Sequence, residues 1–208
     1  MTDLPSGITV TGTGSAEVTP DLMNVDIGVS VRSETVAEAS AEARQYATAL
    51  IEALTEADVA REDIATHNYS VHPEYDHRDG QQRLLGYRVT NELSLTIRDV
   101  AAAGSILDAA VSTAGDAVTI NRVHLTVDDE TAARDGAREA AWGDALGRAE
   151  HLARLAGRAL GPAVTITETT GGVPWPRPMM RTAMAEATPI EAGTASTTVT
   201  LEVRFSLD

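Results

Sequence analysis

Apolar and polar residues alternate one by one in several segments of the chain. The clearest case is near the C-terminus, where Val199, Leu201, Val203 and Phe205 are separated by polar residues. This alternation is typical of a strand with one buried and one solvated face. The same pattern, or a shorter version of it, predicts strands at residues 8–10, 25–31, 64–75, 84–98, 123–127, 164–167 and 198–207.

A helical spacing of apolar residues separates these strands. Residues 36–57 and 130–156 place apolar side chains, mainly alanine, three or four positions apart, which predicts two long amphipathic helices. Ser33 is the predicted N-cap of the first helix. Asp99 is predicted to cap another helix over residues 100–114.

The order of these elements predicts an α+β fold. Residues 20–98 and 118–208 each run strand–helix–strand–strand, and the helix of residues 100–114 lies between the two halves. A weak sequence repeat supports this pseudo-duplication, because the first strand of each half leads through Glu-Thr into an alanine-rich helix. We therefore expect a single domain, residues 1–208, with a largely antiparallel sheet and helices packed on one face.

Residues 171–196 show neither the one-by-one alternation of a strand nor the apolar spacing of a helix. Three prolines lie within residues 174–178, and a connection this long without secondary structure is usually functional or disordered. Its apolar side chains are costly to expose and suit a contact between subunits, with disorder as the alternative. The predicted contact residues are Trp175, Arg177, Met179, Met180, Arg181 and Met184.

Composition excludes several classes of chemistry. The chain has 31 acidic and 16 basic residues, all of the latter Arg, and its net charge is −15 with no Lys and no Cys. This removes lysine Schiff bases, thiol nucleophiles, disulfides and thiolate zinc sites. The negative charge opposes binding to nucleic acid and to anionic membranes. An acidic surface without Lys also predicts adaptation to high salt, because dissolved ions screen its self-repulsion.

The segment Gly12-Thr13-Gly14 follows a predicted strand, as a phosphate-binding loop would. A dinucleotide site requires a third glycine and a helix directly afterwards, and this chain has Glu17 and another strand. We therefore predict a glycine-permitted turn or bulge there and no nucleotide site.

Metal-type ligands are concentrated in residues 67–79. Asp79-Gly80 predicts a hairpin turn, whose tip could gather Asp76, His77 and Asp79 around a hard cation such as Ca²⁺ or Mg²⁺. Acidic loops of a salt-adapted protein would contain the same residues without a metal. No cofactor is predicted.

Tyr69, Tyr75 and Tyr87 lie on the same predicted hairpin. Either they form cross-strand aromatic pairs that hold the hairpin together, or they form a surface for a ligand or partner. The chain has neither a Gly-x-Ser-x-Gly nor a His-Glu-x-x-His motif, so no catalytic residues are predicted.

Several ordered motifs resemble those of one known family. They are Ile8-x-Val10-x-Gly12-x-Gly14-x-Ala16, Gly86-Tyr87-Arg88-Val89-x-Asn91, Ala149-Glu150-x-Leu152-Ala153 and Pro189-Ile190-Glu191-x-Gly193. Through these and further matches from Ile8 to the C-terminus, the chain resembles the SIMPL-domain family. That group has no known biochemical function, and its members include a periplasmic immunogenic protein and a protein linked to oxidative-stress defence.

The resemblance implies an α+β protein with βαβ-type units, and a ring-like oligomer is known for at least one member type. It supplies no catalytic residues. We therefore expect a non-enzymatic, homo-oligomeric protein, stress-related and adapted to high salt. The alternatives are a stress protein that binds a small molecule or metal, and a hydrolase with His and carboxylate chemistry.

Residues 1–5 contain no basic or apolar targeting segment, and no apolar run approaches the roughly 20 residues that span a bilayer. This predicts a cytoplasmic location without membrane insertion. The alternative is an extracytoplasmic location, if the chain is a trimmed form.

Overall fold

The computed structural model describes residues 6–78, 81–170 and 193–208. Their α-helices are α1 (Val36–Glu56), α2 (Ala103–Ala114) and α3 (Thr131–Leu155). Their strands are β1 (Gly7–Val18), β2 (Leu22–Ser33), β3 (Ile64–Arg78), β4 (Gln81–Ile97), β5 (Val118–Thr126), β6 (Leu160–Thr170) and β7 (Ala195–Leu207). The strands form two antiparallel sheets with the orders β1-β7-β6 and β3-β4-β2-β5. The predicted α+β class is confirmed.

The chain divides into two compact units. The three-stranded unit contains residues 6–20, 127–170 and 193–208, and the four-stranded unit contains residues 21–78 and 81–126. The predicted repeats begin at β2 and at β5, and these two strands pair with each other in the four-stranded unit. The single domain of residues 1–208 stays a prediction, because compactness does not decide how many independently folding units there are.

In the four-stranded unit, the predicted alternation places one face of β2 in the core. Val25, Ile27 and Val29 are buried beneath α1, and α2 packs against α1. The predicted N-cap was wrong, because Ser33 is the last residue of β2 and pairs with Tyr87. Thr35 caps α1 instead, in a capping box with Glu38.

β3 and β4 form the predicted hairpin, which is longer than expected. Arg78 pairs with Gln81, although the loop residues Asp79 and Gly80 lie outside the described residues. Asp99 is an N-cap as predicted, since its carboxylate accepts hydrogen bonds from the backbone N–H groups of Ala101 and Ala102 at the start of a 3-10 helix. A short 3-10 turn precedes α2 there, so the helix itself begins later than predicted.

In the three-stranded unit, α3 packs on β1 and β7 through an alanine stripe. The predicted turn or bulge at Gly12-Thr13-Gly14 was wrong, because all three residues lie within β1 and pair with β7 without a register shift. A Cβ atom on Gly12 would clash with the carbonyl oxygen of Ala141, and one on Gly14 with that of Ala137. The glycines therefore let the backbones of strand and helix approach each other closely.

One hydrogen bond ties the edge of β1 to the same helix. The backbone N–H of Thr13 donates to the Asp144 carboxylate at 2.9 Å, and Arg148 donates to that carboxylate at 3.0 Å. The Thr13 bond first, and Arg148 second, lower the pKa of Asp144. The last strand, β7, begins at Ala195. The irregular segment, which was predicted to extend to Ser196, therefore ends before Ala195.

Among the described residues, no helix is both long enough and apolar enough to cross a membrane.

Candidate functional site

The β3–β4 hairpin brings the three predicted tyrosines to one face. Tyr69 and Tyr75 are an even number of residues apart on β3, and Tyr87 on β4 is paired with Pro73 on the same face. This face continues the one that α1 covers over β2 and β4. Beyond that helix it is open, because Tyr69 is 54% exposed and Tyr75 45% exposed. The structure therefore brings these predicted residues together.

The hairpin extends beyond the rest of its sheet. The pairing of β2 with β4 ends at Ser33 and Tyr87, so the hairpin beyond Tyr87 is a two-stranded arm. Leu84 lies opposite Tyr75 and is 44% exposed. We refer to this apolar surface of the hairpin as the tyrosine face, which consists of the half-buried Tyr87 and the exposed Tyr69, Val71, Tyr75 and Leu84. Monomeric proteins seldom leave so many adjacent apolar side chains open to water.

The hairpin is nearly neutral in a strongly acidic protein. Residues 67–88 contain three acidic residues, three arginines and three of the chain's five histidines. On the second face of the hairpin, Arg88 donates two hydrogen bonds to Glu74, at 2.9 and 3.0 Å, and Arg32 lies 3.6 Å from the same carboxylate. The Arg88 hydrogen bond is the main cause that lowers the pKa of Glu74.

The second face of the four-stranded sheet contains a polar network centred on Glu92. Its carboxylate accepts the side-chain amide of Asn68 from β3 at 2.7 Å and that of Asn121 from β5 at 2.6 Å. To reach Asn121, the Glu92 side chain lies across Gly28 of β2, its neighbour in the register. The carboxylate of Glu92 on β4 thus joins β3 to β5 across β2.

Two β-bulges direct side chains towards this network. The pairing register shifts at His67 on β3 and at Asn121 on β5, and each residue lacks a direct partner on the neighbouring strand. A bulge of this kind redirects a side chain. His67 consequently lies 3.4 Å from the Ser94 hydroxyl through Nδ1 and 3.9 Å from Glu92 through Nε2.

Ser94, His67 and Glu92 are the residue types of a hydrolytic triad, but their geometry favours a structural network. The 3.9 Å separation of His67 and Glu92 exceeds a hydrogen bond. Each Glu92 oxygen already accepts an amide, which holds the carboxylate between strands. This cluster was not predicted, because the two bulges that assemble it have no periodic pattern in the sequence.

The predicted metal residues are only partly described. Asp76 and His77 are consecutive on β3, so their side chains leave opposite faces of the strand. Asp79 lies outside the described residues. Within residues 6–78, 81–170 and 193–208 no group of three or more His, Asp or Glu side chains is placed to hold a metal ion. The metal site with Asp79 therefore stays a prediction.

The predicted contact residues of the Pro/Met segment also lie outside the described residues. They are Trp175, Arg177, Met179, Met180, Arg181 and Met184. Their role in a subunit contact stays a prediction.

Comparison with known proteins identifies the family. The model of the SIMPL family, described as a protein of unknown function (DUF541), matches residues 8–205. The chain belongs to the SIMPL family. The match includes β1 with its two glycines, the hairpin and all of α3.

Relatives of this SIMPL protein cover nearly all of it. The uncharacterized protein YggE of Escherichia coli K12 is 32% identical over 192 residues, which is 91% of this chain and 77% of the relative. The 26 kDa periplasmic immunogenic protein of Brucella melitensis is 30% identical over 223 residues, which is 100% of this chain and 87% of the relative. Neither name specifies a reaction or a ligand.

Proposed function

We propose that this SIMPL protein is a non-enzymatic subunit of a homo-oligomer, and that the β3–β4 hairpin forms the contact between copies. The tyrosine face carries this proposal. Aromatic side chains are enriched at protein interfaces, where they bury a large area and keep a polar hydroxyl for the rim. Tyr69 and Tyr75, with exposed fractions of 54% and 45%, are suited to such burial.

The charge distribution supports the hairpin over other surfaces. Two copies that each have a net charge of −15 repel each other across most of their surfaces. The balanced charges of residues 67–88 remove this repulsion at the hairpin. Glu74 is moreover already paired with Arg88 and Arg32, so it adds little unpaired negative charge to a contact.

The position of β3 supplies the backbone part of the contact. β3 is an edge of the four-stranded sheet among the described residues, and an edge strand presents unpaired N–H and C=O groups on its outer side, except that Pro73 has no N–H. Antiparallel pairing of β3 with β3 of a second copy would satisfy these groups about a twofold axis. It would also bring the two tyrosine faces next to each other.

Charge on the tyrosine face is expected to break the assembly. The double variant Tyr69→Glu/Tyr75→Glu should lower the mass measured by light scattering, because four carboxylates would then meet at each contact. The product should have the monomer mass of 21.9 kDa. Both side chains are about half exposed, so the fold itself should persist in circular dichroism.

The control for this experiment adds the same charge elsewhere. Val111→Glu/Leu155→Glu replaces two exposed apolar residues, 44% and 72% exposed, that lie on α2 and α3. This control should keep the mass of the parent protein. An unchanged mass for the tyrosine variant, or a parent protein that is already monomeric, would contradict the proposal.

We also propose that the acidic surface adapts the protein to high salt. Thermal melting in about 2 M KCl should give a higher Tm than melting in a buffer of low ionic strength, because concentrated salt shortens the Debye length to about 3 Å or less. Sodium sulfate at equal ionic strength, compared with KCl, separates screening from salting-out. Equal stability at low and high KCl would exclude the adaptation.

An extracytoplasmic site of action is the location we propose. The name of the Brucella relative calls that protein periplasmic, and its similarity extends over this whole chain. A role in stress defence belongs to the same proposal. The alternatives, a small-molecule or metal-binding protein and a hydrolase, would have to use the His-rich hairpin or the Glu92 network, whose carboxylate is already bound by two amides.

A further inference from the structure

Among residues 6–78, 81–170 and 193–208, strand β6 leaves an apolar edge of the three-stranded unit open. α3 packs on β1 and β7 and makes few contacts with β6. Ile166 shares a face with the buried Val203, to which it is paired, and is nevertheless 57% exposed. On the other side of β6 no strand pairs with it among the described residues. Natural proteins usually protect an apolar edge of this kind, because it is a template for further strand pairing.

The regular part of this edge is short and well defined. Pro162 has no N–H to offer, and the register of β6 with β7 shifts on both sides of Ala163. From Thr165 onwards the pairing with β7 continues without a shift to Thr170. Residues 165–170 are therefore the part of the edge at which every second residue can offer its N–H and C=O groups to an added strand.

A groove lies beside this edge, between β6 and α3. One of its lining residues is Trp142, whose ring packs on that of Phe205 with 5.8 Å between centroids. The groove has a volume of about 390 Å³, and its lining residues are Arg138, Glu139, Trp142, Ile166, Glu168 and Leu201. Ile166 and Leu201 together with the indole make it apolar at the centre, so it can take the apolar side chains of an extended chain.

Of the side chains that the structure describes around the groove, carboxylates outnumber cations. Arg138 donates to Glu168 at 2.9 Å and to Asp135 at 2.6 Å, so its single charge is shared by two carboxylates. The Glu168 bond is the main cause that raises the pKa of Arg138. A third carboxylate, that of Glu139, also lines the groove and is exposed. The excess negative charge favours a basic partner over a second acidic copy of this chain.

We propose that this surface, the β6 groove, binds an extended basic peptide that adds to residues 165–170 as a further strand. Its backbone pairs with the open edge of β6. Apolar side chains at alternate positions enter the groove over Trp142 and Ile166, and Arg or Lys residues contact Glu139 and Glu168. This binding site belongs to the three-stranded unit, and it shares no residue with the hairpin contact proposed for assembly.

The test uses labelled synthetic peptides of about ten residues, which is long enough to pair with the edge strand. The first peptide alternates valine and threonine and carries an arginine at each end. The second has glutamates in place of the arginines, and the third has a central proline that prevents strand pairing. Fluorescence anisotropy with the full chain should show binding of the first peptide, and binding weaker by about tenfold or more for the other two.

Two variants of the protein locate the site. Ile166→Arg places a charge in the groove and should weaken binding of the first peptide by about tenfold or more. Val164→Arg is the matched control, because Val164 is 55% exposed on the same strand but does not line the groove. It should change binding by less than about twofold.

Three outcomes would overturn this proposal. One is a lack of binding by the first peptide, and another is equal binding of all three peptides. The third is a loss of assembly mass in Ile166→Arg but not in Val164→Arg, which would assign the groove to a second copy of the chain. The mass of Tyr69→Glu/Tyr75→Glu is measured in parallel, so failure of the hairpin contact and failure of the peptide site remain distinguishable.

Discussion

Replacing Gly12 or Gly14 with alanine is expected to lower the free energy of unfolding by about 3 kcal/mol, near the upper end of the usual cost of overpacking. The added methyl group would meet backbone atoms of α3: the Ala141 carbonyl in the first case and the Ala137 carbonyl in the second. A flexible side chain could rotate away from such a clash. A helix backbone cannot, so α3 would have to move away from β1 as a whole. Urea unfolding followed by circular dichroism measures the loss.

The same helix provides the control for this experiment. Gly143 and Gly147 lie on α3, and a Cβ atom at either position would meet nothing within 4 Å. Alanine there should raise the free energy of unfolding by roughly 0.5–1 kcal/mol, because glycine is a poor helix former. If alanine lowers the free energy of unfolding in β1 and raises it in α3, close packing is the cause of the loss in β1. Equal effects at Gly12 and Gly143 would contradict it.

The close approach of β1 and α3 is a feature that could not be predicted from the sequence. The alternation of apolar residues predicted β2, β4 and β7, and the alanine spacing predicted α1 and α3. The two glycines of β1 also stood out, but a Gly-x-Gly segment is compatible with a loop, a bulge or a packed strand. Choosing among these requires knowing that α3, which begins at Thr131, folds back onto β1. That contact is a property of the tertiary structure.

The division of the strands between two sheets has a similar cause. The alternation in β5 predicts a strand, but it does not identify the neighbour with which that strand pairs. In the structure, β5 pairs with β2, whereas β7 pairs with β1 on one side and with β6 on the other. Side-chain periodicity reports which face is buried. This periodicity does not indicate strand order, which depends on chain connections and on the packing of both faces.

For the candidate site, residue type was more informative than position. The tyrosines were predicted as a set, since amphipathic aromatic side chains on a hairpin suggest a contact surface. Their common face depends on an exact register, and the bulge between Glu74 and Tyr75 alters the pairing of the two strands there. The Glu92 network was missed for the same reason. His67 and Asn121 join it only through bulges, and neither bulge has a signature in the sequence.

Truncation of Phe205 is the second change expected to have a large effect. Phe205 is 2% exposed, and its ring packs against Trp142 in the core of the three-stranded unit. Phe205→Ala should lower the free energy of unfolding by about 3–5 kcal/mol, because it removes buried apolar area and leaves a cavity in a core otherwise built from alanine, valine and leucine. Leucine, which fills much of the same space, should cost less than about 1.5 kcal/mol.

Tryptophan fluorescence separates this local effect from general loss of structure. The chain has two Trp residues, so a Trp175→Phe background leaves Trp142 as the single reporter. In Phe205→Ala its emission should shift to longer wavelength before unfolding, because the indole loses its aromatic neighbour. Ile166→Ala, on the exposed edge of the same sheet, should change the free energy of unfolding by less than about 1 kcal/mol, as surface substitutions usually do. If Phe205→Ala is no more costly than Ile166→Ala, the packing of α3 on β7 is not what stabilises this unit.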